Sequence, residues 1–283
     1  MVPESPWSSP SSPLACTVRG CGLQLVRDGR VFRCAGGHAY DVARSGRLNL
    51  LQPQDRRSLA AGDGKEAVAA RARLMDRGIG RAIVDGVAAQ VVALDLPDHS
   101  VVVDLGSGTG HVLSAVAAAR PMVAIGIDLS AAAGDYAARR FPPPLWITAN
   151  ADRRLPLADC GVTLVISVHG RRNPVECARV LAPGGFLLVA VPAPDDLIEL
   201  RTLVGGARVE RARDDSVLRD HAAGFVLIDR RRMAGRHLLD RDAVVDVLRS
   251  TYRGARHRTA AAVAALTSLN ATVASDLFVF ERR

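Results

Sequence analysis

Three cysteines and one histidine near the N-terminus have the residue types and the spacing of a metal site. Cys16, Cys21, Cys34 and His38 follow the pattern C-x4-C-x12-C-x3-H. Three thiolates and one imidazole complete a tetrahedral site of the structural zinc type, which leaves no open position for catalysis. The pattern predicts that Zn²⁺ holds a small recognition module together. The alternative is three buried cysteines beside a surface histidine.

A glycine-rich loop near the middle of the chain has the composition of a cofactor site. In "VVVDLGSGTG", Gly106, Gly108 and Gly110 follow a buried strand that ends on Asp104, and His111 opens the next helix. Dinucleotide-binding loops receive a pyrophosphate at this position. An acidic strand end disfavours a diphosphate and favours an ammonium group. The loop therefore favours S-adenosylmethionine (SAM), unless it is only a tight turn.

Two further aspartates follow the next strands of the same pattern. Asp128 ends the second strand and precedes Leu129, where a carboxylate can accept both ribose hydroxyls, and Asp152 follows the third, where this fold contacts adenine. Each aspartate alone could be a helix cap or a surface residue. Acids at successive strand ends indicate a nucleoside cofactor. The predicted cofactor-binding residues are Asp104, Gly106, Gly108, Gly110, His111, Asp128, Leu129 and Asp152.

The elements that must position these residues predict an α/β fold. From residue 100 onward, continuous apolar strands alternate with helices, which is typical of a parallel sheet covered on both faces. Two apolar stretches after residue 224 fit antiparallel edge strands. We predict a disordered tail (1–13), a zinc-binding RNA-recognition module (14–51), a helical linker (52–95) and a class I, Rossmann-like methyltransferase domain (96–283).

Composition narrows the possible partners and the compartment. The chain has 283 residues, and its 37 Lys and Arg against 29 Asp and Glu give a net charge of +8. Lys65 is the one lysine, so the positive charge is almost entirely guanidinium, which binds phosphate well. GC-rich codon usage is the alternative source of this bias. We expect a cytoplasmic protein with no membrane segment, in which Cys160 and Cys177 are ordinary small apolar residues.

Several segments together resemble the 23S ribosomal RNA (guanine-N1)-methyltransferases. "CAGGHAYDVARSGRLNLL" resembles the second zinc knuckle of that family and the segment after it. "GDGKEAVAARARLMDRG" resembles a helix with a paired Ala-Arg, and "DLGSGTGH" resembles the cofactor loop. "RRNPVECARVLAPGG" resembles the Arg-Asn-Pro segment of the actinobacterial branch. The resemblance runs from about residue 14 to the C-terminus.

The resemblance implies an activity and its partners. Members join a zinc module to a class I methyltransferase domain, are commonly dimers, and methylate a guanine in a 23S rRNA hairpin. Some protect the ribosome against macrolides. This chain departs from the family at three places around the expected pocket, where it has Gly80, Asp196 and the sequence His169-Gly170-Arg171.

The loop after the fourth strand is the expected wall of the acceptor pocket. Guanine N1 carries a proton that must leave, and His169 is the candidate base. Arg172, with Arg171, is a candidate contact for a phosphate or for the guanine carbonyl. The aromatic residues that could stack on a base are Tyr40, Tyr136 and Trp146. The arginine runs that could follow phosphates are Arg208–Arg213, Arg230–Arg232 and Arg256–Arg258.

Two other functions fit the same sequence. The first is a methyltransferase that acts on a small natural product and keeps the zinc module for stability. The second is a non-catalytic protein that binds RNA or SAM, which the changed pocket residues would explain. A strongly salt-dependent RNA affinity would argue against the first. Cofactor binding without turnover would favour the second.

Overall fold

The computed structural model of the protein describes residue 7 and residues 12–55, 62–205, 214–251 and 266–283. Within these ranges the strands form one small sheet and one large sheet. The small sheet is antiparallel, in the order β1 (Val26–Asp28), β2 (Val31–Arg33) and β3 (Ala39–Asp41). Strands this short bury little apolar surface, so the module needs the additional contacts described below.

The large sheet carries the glycine loop. Its strands are β4 (Leu48–Asn49), β5 (Val101–Leu105), β6 (Val123–Asp128), β7 (Leu145–Thr148), β8 (Val162–Val168), β9 (Leu181–Pro192), β10 (Phe225–Asp240) and β11 (Ser268–Arg282). The spatial order is β10-β11-β9-β8-β5-β6-β7-β4. The strands from β4 to β9 are parallel, and β11 is antiparallel to both β9 and β10. The order reverses between β5 and β8, where ligands bind in such sheets.

Helices connect the strands and cover both faces of the large sheet. They are α1 (Lys65–Asp76), α2 (Arg81–Ala93), α3 (His111–Ala119), α4 (Ala131–Arg140), α5 (Pro174–Val180), α6 (Ile198–Gly205), α7 (Asp214–His221) and α8 (Arg241–Thr251), with a short 3-10 turn at Pro53–Asp55. Ser130 caps α4, and Asn173 caps α5 with Pro174 at its first position. In the described part of the chain, no helix is long and apolar enough to cross a membrane.

The hydrophobic core lies on the two faces of the large sheet. On one face, Leu14 and Phe32 from the N-terminal module belong to the same buried cluster as Leu105 and Phe278 from the large sheet. On the other face, α2, α3 and Trp146 form a second cluster. The small module therefore shares its core with the large sheet, which supplies the burial that its short strands lack.

The β10–β11 ribbon extends past the carboxyl edge of the large sheet. β9 ends at Pro192, which pairs with Ser275, whereas β10 and β11 stay paired as far as Asp240 and Ser268. A third buried cluster joins this extension to α1 and α8. The ribbon and these helices build a layer beside the edge that carries the glycine loop.

The α/β fold class and the antiparallel edge strands expected after residue 224 are confirmed. Just before the border predicted at residue 51, Leu48 in the module pairs with Ile147, so β4 belongs to the large sheet. The predicted linker, 52–95, contains the ordered helices α1 and α2. Of residues 1–13, predicted as a disordered tail, the structure describes Trp7, Ser12 and Pro13, and all three are buried.

Candidate functional site

The glycine loop lies at the carboxyl end of β5, where the strand order reverses. Gly106, Gly108 and Gly110 have φ angles of +74°, +53° and +83°. These angles lie in the left-handed region, which costs glycine little and strains other residues. The Gly110 N–H donates to the Ser107 carbonyl oxygen over 2.9 Å and leads directly into α3. The loop conformation thus explains the glycines at these three positions.

The loop after β8 crosses the glycine loop at very short range. A Cβ built on Gly106 would lie 2.8 Å from Gly170 Cα, and a Cβ on Gly170 would collide with the Leu105 carbonyl oxygen. A Cβ on Gly110 would lie 2.7 Å from the ring of Trp146. Side chains are therefore excluded at Gly106 and Gly170, where the two backbones meet. The predicted acceptor wall and the predicted cofactor loop are in contact.

Two carboxylates are buried beneath the glycine loop. Asp104 is 2% exposed, and its burial, followed by the charge of Asp128, raises its pKa to about 7. Burial also raises the pKa of Asp128, against the hydrogen bonds that its carboxylate accepts. Asp128 Oδ2 accepts from the Gly108 N–H over 2.8 Å, and Oδ1 accepts from the Ser130 N–H over 2.7 Å. The pair places two buried carboxyl groups next to the loop.

Leu129 and Asp152 also lie at the carboxyl edge of the sheet. Leu129 follows β6 directly and is half-buried. Asp152 follows β7, and its Oδ2 lies 2.9 Å from Arg171 Nε. This ion pair links the loop after β7 to the loop after β8. The parallel strands therefore bring Asp104, Asp128 and Asp152 to one edge, with Arg171 across it.

His111 follows the glycine loop, but its imidazole points towards α1 and α4. Its Nδ1 lies 2.9 Å from Thr109 Oγ1, and its Nε2 lies 3.6 Å from Asp76 Oδ1. Its ring contacts Phe141 edge-on, with a centroid separation of 5.0 Å, and it is stacked with Tyr136 at 6.5 Å. Burial lowers the pKa of His111. The structure places this side chain between helices.

His169, the candidate base, lies at the end of β8 in a strained conformation. Its φ angle is +55°, which is rare for a residue with a Cβ and marks a constrained position. Its Nε2 lies 2.7 Å from the hydroxyl of Ser275, which is fully buried on β11. The side chain itself is exposed. The bond to Ser275 thus fixes the imidazole on β11, and the ring remains accessible to solvent.

Arg172 turns away from the glycine loop. Its Nε donates to His221 Nε2 over 3.2 Å, and the His221 ring stacks on Phe280 with a centroid separation of 5.1 Å. Burial lowers the pKa of Arg172, which is close to the buried Cys177. The guanidinium lies between α5 and α7, and it stabilises the base of the loop that carries Gly170.

Residues before α1 reach the cofactor loop, and the sequence did not identify them. The Ser130 hydroxyl donates to the Asp63 carbonyl oxygen over 2.5 Å. The Asp63 carboxylate accepts from Arg71 NH1 over 2.8 Å. A Cβ on Gly108 would lie 3.6 Å from Arg71 NH1. The available signal was "GDGK", because a Gly-Asp-Gly run before a helix indicates a constrained approach of the backbone.

The observed edge fits the chemistry of SAM. Its buried carboxyl groups match an ammonium group and a pair of ribose hydroxyls. A cation beside Asp104 would favour its ionised form, against the effect of burial on its pKa. A Cβ on Gly108 would meet nothing closer than 3.6 Å, so the loop is open on that side. The carboxyl groups at this edge therefore fit the cationic and hydroxyl groups of SAM.

The four predicted zinc ligands come together in one cluster. Their ligand atoms, from Cys16, Cys21, Cys34 and His38, all lie within 4.8 Å of one another. His38 Nδ1 is 3.5 Å from Cys16 Sγ and 3.4 Å from Cys34 Sγ, and Cys21 Sγ is 3.8 Å from Cys34 Sγ. Tetrahedral zinc with ordinary bond lengths separates sulfurs by about 3.8 Å and sulfur from nitrogen by about 3.6 Å. The cluster has the dimensions of a structural zinc site.

Tyr40 connects this cluster to the large sheet. Its hydroxyl lies 3.1 Å from Cys16 Sγ and 3.3 Å from Thr17 Oγ1. Thr17 Oγ1 donates to the Leu50 carbonyl oxygen over 2.7 Å, and the Leu50 N–H donates to the Thr148 carbonyl oxygen over 3.0 Å. Outer-shell partners of this kind orient metal ligands. The zinc cluster is therefore continuous, by hydrogen bonds, with β7.

Two of the three aromatic side chains considered for base stacking are buried. Trp146 is 1% exposed, and its Nε1 donates to the Phe141 carbonyl oxygen over 3.0 Å. Tyr40 is 9% exposed, with its hydroxyl on the zinc cluster. Neither ring offers a free face to a nucleobase, because each fills a core position. The partly exposed Tyr136 contacts His111.

The arginine runs differ in what the structure shows of them. Arg208–Arg213 and Arg256–Arg258 lie outside the described residues. In the run Arg230–Arg232, Arg231 pairs with Asp229 over 2.7 Å and Arg232 with Asp195 over 2.6 Å. Much of the charge of this run is therefore compensated by neighbouring carboxylates.

The departures from the family pattern at residues 80 and 196 have local explanations. Gly80 precedes α2 with a φ angle of +93°, which would strain any residue with a Cβ. The Asp196 carboxylate accepts from the Ala274 N–H over 2.9 Å and so ties the loop after β9 to β11. Glycine fits the turn before α2, and the carboxylate of Asp196 fits the bond to β11.

Comparisons with known proteins agree with this geometry. A family model described as a methyltransferase domain matches residues 102–185, and one described as "RlmA, N-terminal", a zinc ribbon, matches residues 15–59. The 23S rRNA (guanine(748)-N(1))-methyltransferase of Streptomyces fradiae is 35% identical over 228 residues, which is 79% of this chain and 80% of that protein.

Two further relatives extend the comparison. A Micromonospora griseorubida protein, provisionally named as a 23S rRNA (guanine-N(1)-)-methyltransferase, is 37% identical over 72% of this chain and 74% of its own. Among solved structures, the complex between the Haloferax volcanii Trm112 methyltransferase activator and a methyltransferase contains a chain with a TM-score of 0.52 and 19% identity. That match covers 79% of this chain and 99% of the other. This last likeness concerns the fold alone.

Proposed function

The chain belongs to the 23S rRNA (guanine-N1)-methyltransferase family, and from this premise we propose that it methylates N1 of a guanine in a 23S rRNA hairpin. The relative from Streptomyces fradiae is named for guanine 748. The proposed consequence for the cell is protection of the ribosome against a macrolide. We also propose that the protein works in the cytoplasm, where its substrate is.

One observation carries the proposal. A cluster with the dimensions of a structural zinc site shares a hydrophobic core and a strand pairing with a sheet whose carboxyl edge fits SAM. A small-molecule enzyme needs no such module beside its cofactor edge. A polymer substrate needs a second surface that holds it while one base enters the site.

In this proposal, each acidic residue at the cofactor edge binds a different part of SAM. When bound, SAM supplies an electrophilic methyl group on its sulfonium. Asp104 would hold the ammonium, Asp128 would bind the ribose hydroxyls, and Asp152 and Leu129 would contact the adenine. Gly106, Gly108 and Gly110 let the backbone approach the cofactor closely. Catalysis then consists mainly of positioning the acceptor in line with the methyl group.

His169 is the proposed acceptor of the guanine N1 proton. The hydrogen bond between its Nε2 and the Ser275 hydroxyl holds the ring at the end of β8, beside the crossing of the two glycine-containing loops. A base fixed in this way needs no reorganisation during proton transfer. Arg172 keeps the loop in place from below through His221, so we assign it a positioning role.

Exposed arginines on the zinc module support an RNA partner. Arg19, Arg33 and Arg44 are exposed and form no ion pair with another described residue. By contrast, Arg47 in the same module pairs with Asp135 over 2.8 Å and attaches the module to α4. Uncompensated guanidinium groups on one small module form a phosphate-binding surface.

A homodimer is the proposed assembly. The large sheet ends on β10, whose exposed apolar residues are Val226, Leu227, Ile228 and Leu238. An edge strand with exposed apolar side chains is a surface on which a second copy can pack. Light scattering on the purified protein tests this assembly, and a monomer at micromolar concentration would reject it.

The decisive experiment is label transfer from radiolabelled SAM to 23S rRNA that lacks guanine-N1 methylation, followed by primer extension. N1 methylation blocks base pairing, so the expected result is one strong stop next to a guanine in a hairpin. Asp104→Asn should abolish the stop without unfolding the protein. SAM binding by calorimetry without any labelled RNA would reject the proposal in favour of another substrate or a non-catalytic role.

A further inference from the structure

The charges at the cofactor edge are unbalanced with respect to the amino-acid end of SAM. Its ammonium and sulfonium groups are cations, for which Asp104 and Asp128 are available. Its carboxylate is an anion, which the same two residues repel. A site that holds the methionyl group in one orientation needs a cation placed apart from Asp104.

Arg71, on the second turn of α1, is such a cation. Its NH1 is the side-chain atom nearest to a Cβ built on Gly108, at 3.6 Å. Its charge acts on Asp128 and lowers the pKa of that carboxyl, against the effect of burial. The Arg71 side chain is 29% exposed, so a ligand can still reach the guanidinium.

The guanidinium of Arg71 is held from two sides. NH1 donates to Asp63 Oδ2 over 2.8 Å, and NH2 donates to the Ser250 carbonyl oxygen on α8 over 3.0 Å. These two bonds use NH1 and NH2, and neither of them uses Nε. A fixed guanidinium binds a carboxylate at a lower entropic cost than a mobile side chain does.

The segment before α1 is itself fixed against the cofactor loop. A Cβ on Gly62 would lie 2.7 Å from the Ser130 backbone, so glycine is required for this approach. The Ser130 hydroxyl then bonds to the Asp63 carbonyl oxygen. Because Ser130 also donates its N–H to Asp128, the segment and the ribose-binding acid share one turn.

We propose that Arg71 binds the carboxylate of the methionyl group of SAM, and that Asp63 positions its guanidinium. The inference rests on the proposed function, since it names a further cofactor-binding residue for the same reaction. It also gives α1 a role: this helix, outside the methyltransferase sheet, recognises the amino-acid end of the cofactor.

A ligand that lacks only the carboxylate tests the assignment. Calorimetry would compare SAM with decarboxylated SAM, which keeps the amine, the sulfonium and the nucleoside. We expect the wild-type protein to prefer SAM by about tenfold or more, as for a charge-assisted hydrogen bond. In Arg71→Gln the preference should fall to about threefold or less, through weaker SAM binding alone.

Arg73→Gln is the matched control, because Arg73 lies on the same helix and pairs with Asp246 on α8 over 2.5 Å. It should keep the wild-type preference. No preference in the wild type, or an undiminished one in Arg71→Gln, overturns the inference. If Arg71→Gln does not fold, Arg71→Met replaces it, because methionine keeps an unbranched side chain without the charge, and an undiminished preference there also overturns the inference. A folded wild type that binds neither ligand rejects the proposed function instead.

Discussion

At the scale of single residues, the buried Asp104 should make cofactor binding depend on pH. Its pKa of about 7 arises from burial and from the charge of Asp128. An ammonium ligand favours the ionised form, so S-adenosylhomocysteine should bind about tenfold more tightly at about pH 8 than at about pH 6. Calorimetry at several pH values measures this. Asp104→Asn should bind weakly and without the pH dependence.

The same residue has the opposite effect on the ligand-free protein. A carboxyl with a raised pKa keeps its proton in the folded state, so the folded state binds more protons than the unfolded state between about pH 4 and about pH 7. The stability that Asp104 contributes is therefore present at low pH and decreases as the pH rises through this window.

For the binding prediction, a pH-independent affinity of the wild type for S-adenosylhomocysteine would contradict the assignment of Asp104 to the ammonium.

His169 should affect the chemical step and leave cofactor binding intact. Replacing a general base lowers the rate by about 10²- to 10⁴-fold, so His169→Gln should do so in single turnovers with rRNA. Its affinity for S-adenosylhomocysteine should change by less than about twofold, because other residues hold the cofactor. Ser275→Ala keeps the imidazole and removes its fixing bond. It should therefore show a smaller loss, and a full rate in His169→Gln would exclude this base.

At the scale of elements, the zinc module and β4 should depend on each other. Since Tyr40, Thr17 and Leu50 link the cluster to β7, loss of zinc should release β4. We expect His38→Ala to lose its zinc by native mass spectrometry and to unfold at a temperature at least about 5 °C lower. Hydrogen exchange at Leu50 should become faster.

Cys160→Ala is the matched control for this prediction. Cys160 is exposed, lies in the loop before β8 and is not one of the four clustered ligands. The variant should keep zinc, melting temperature and the protection of Leu50. Unchanged exchange at Leu50 in zinc-free His38→Ala would show that β4 pairs with β7 independently of the metal.

At this scale, helix α1, which the sequence placed in a linker, lies beside the cofactor loop. The apolar residues of α1 predict a helix, and Val68, Ala70, Ala72 and Leu74 are buried, on an arc wider than a single amphipathic stripe. The spacing does not say what the helix packs against. Contacts with α8 and the β10–β11 ribbon decide that, through residues more than a hundred positions away.

At the scale of the whole molecule, RNA binding should respond to salt through the zinc module. Each phosphate contact contributes a slope of about 0.7 to the dependence of log affinity on log salt for single-stranded RNA. Replacing Arg19, Arg33 and Arg44 with Gln should therefore lower the slope by about two. Filter binding of a 23S rRNA hairpin measures it. Arg81→Gln, which changes an exposed arginine paired with Asp85, should leave the slope unchanged.

The sequence by itself determined the features that depend on short stretches of chain. The spacing of Cys16, Cys21, Cys34 and His38 predicted a cluster that the structure contains. The strand, glycine loop and helix around Gly106 predicted the cofactor edge. Local sterics and hydrophobic periodicity act over a few residues, so they can be read from residue types alone.

Only the tertiary structure decided how distant segments meet. It placed Arg71 beside Gly108, turned Arg172 towards His221, buried Trp146 under the loop and joined β4 of the module to the large sheet. These outcomes depend on which surfaces pack together, and packing is a property of the whole chain. A residue's type states what chemistry it can do, whereas its neighbours in space decide whether the chemistry reaches the site.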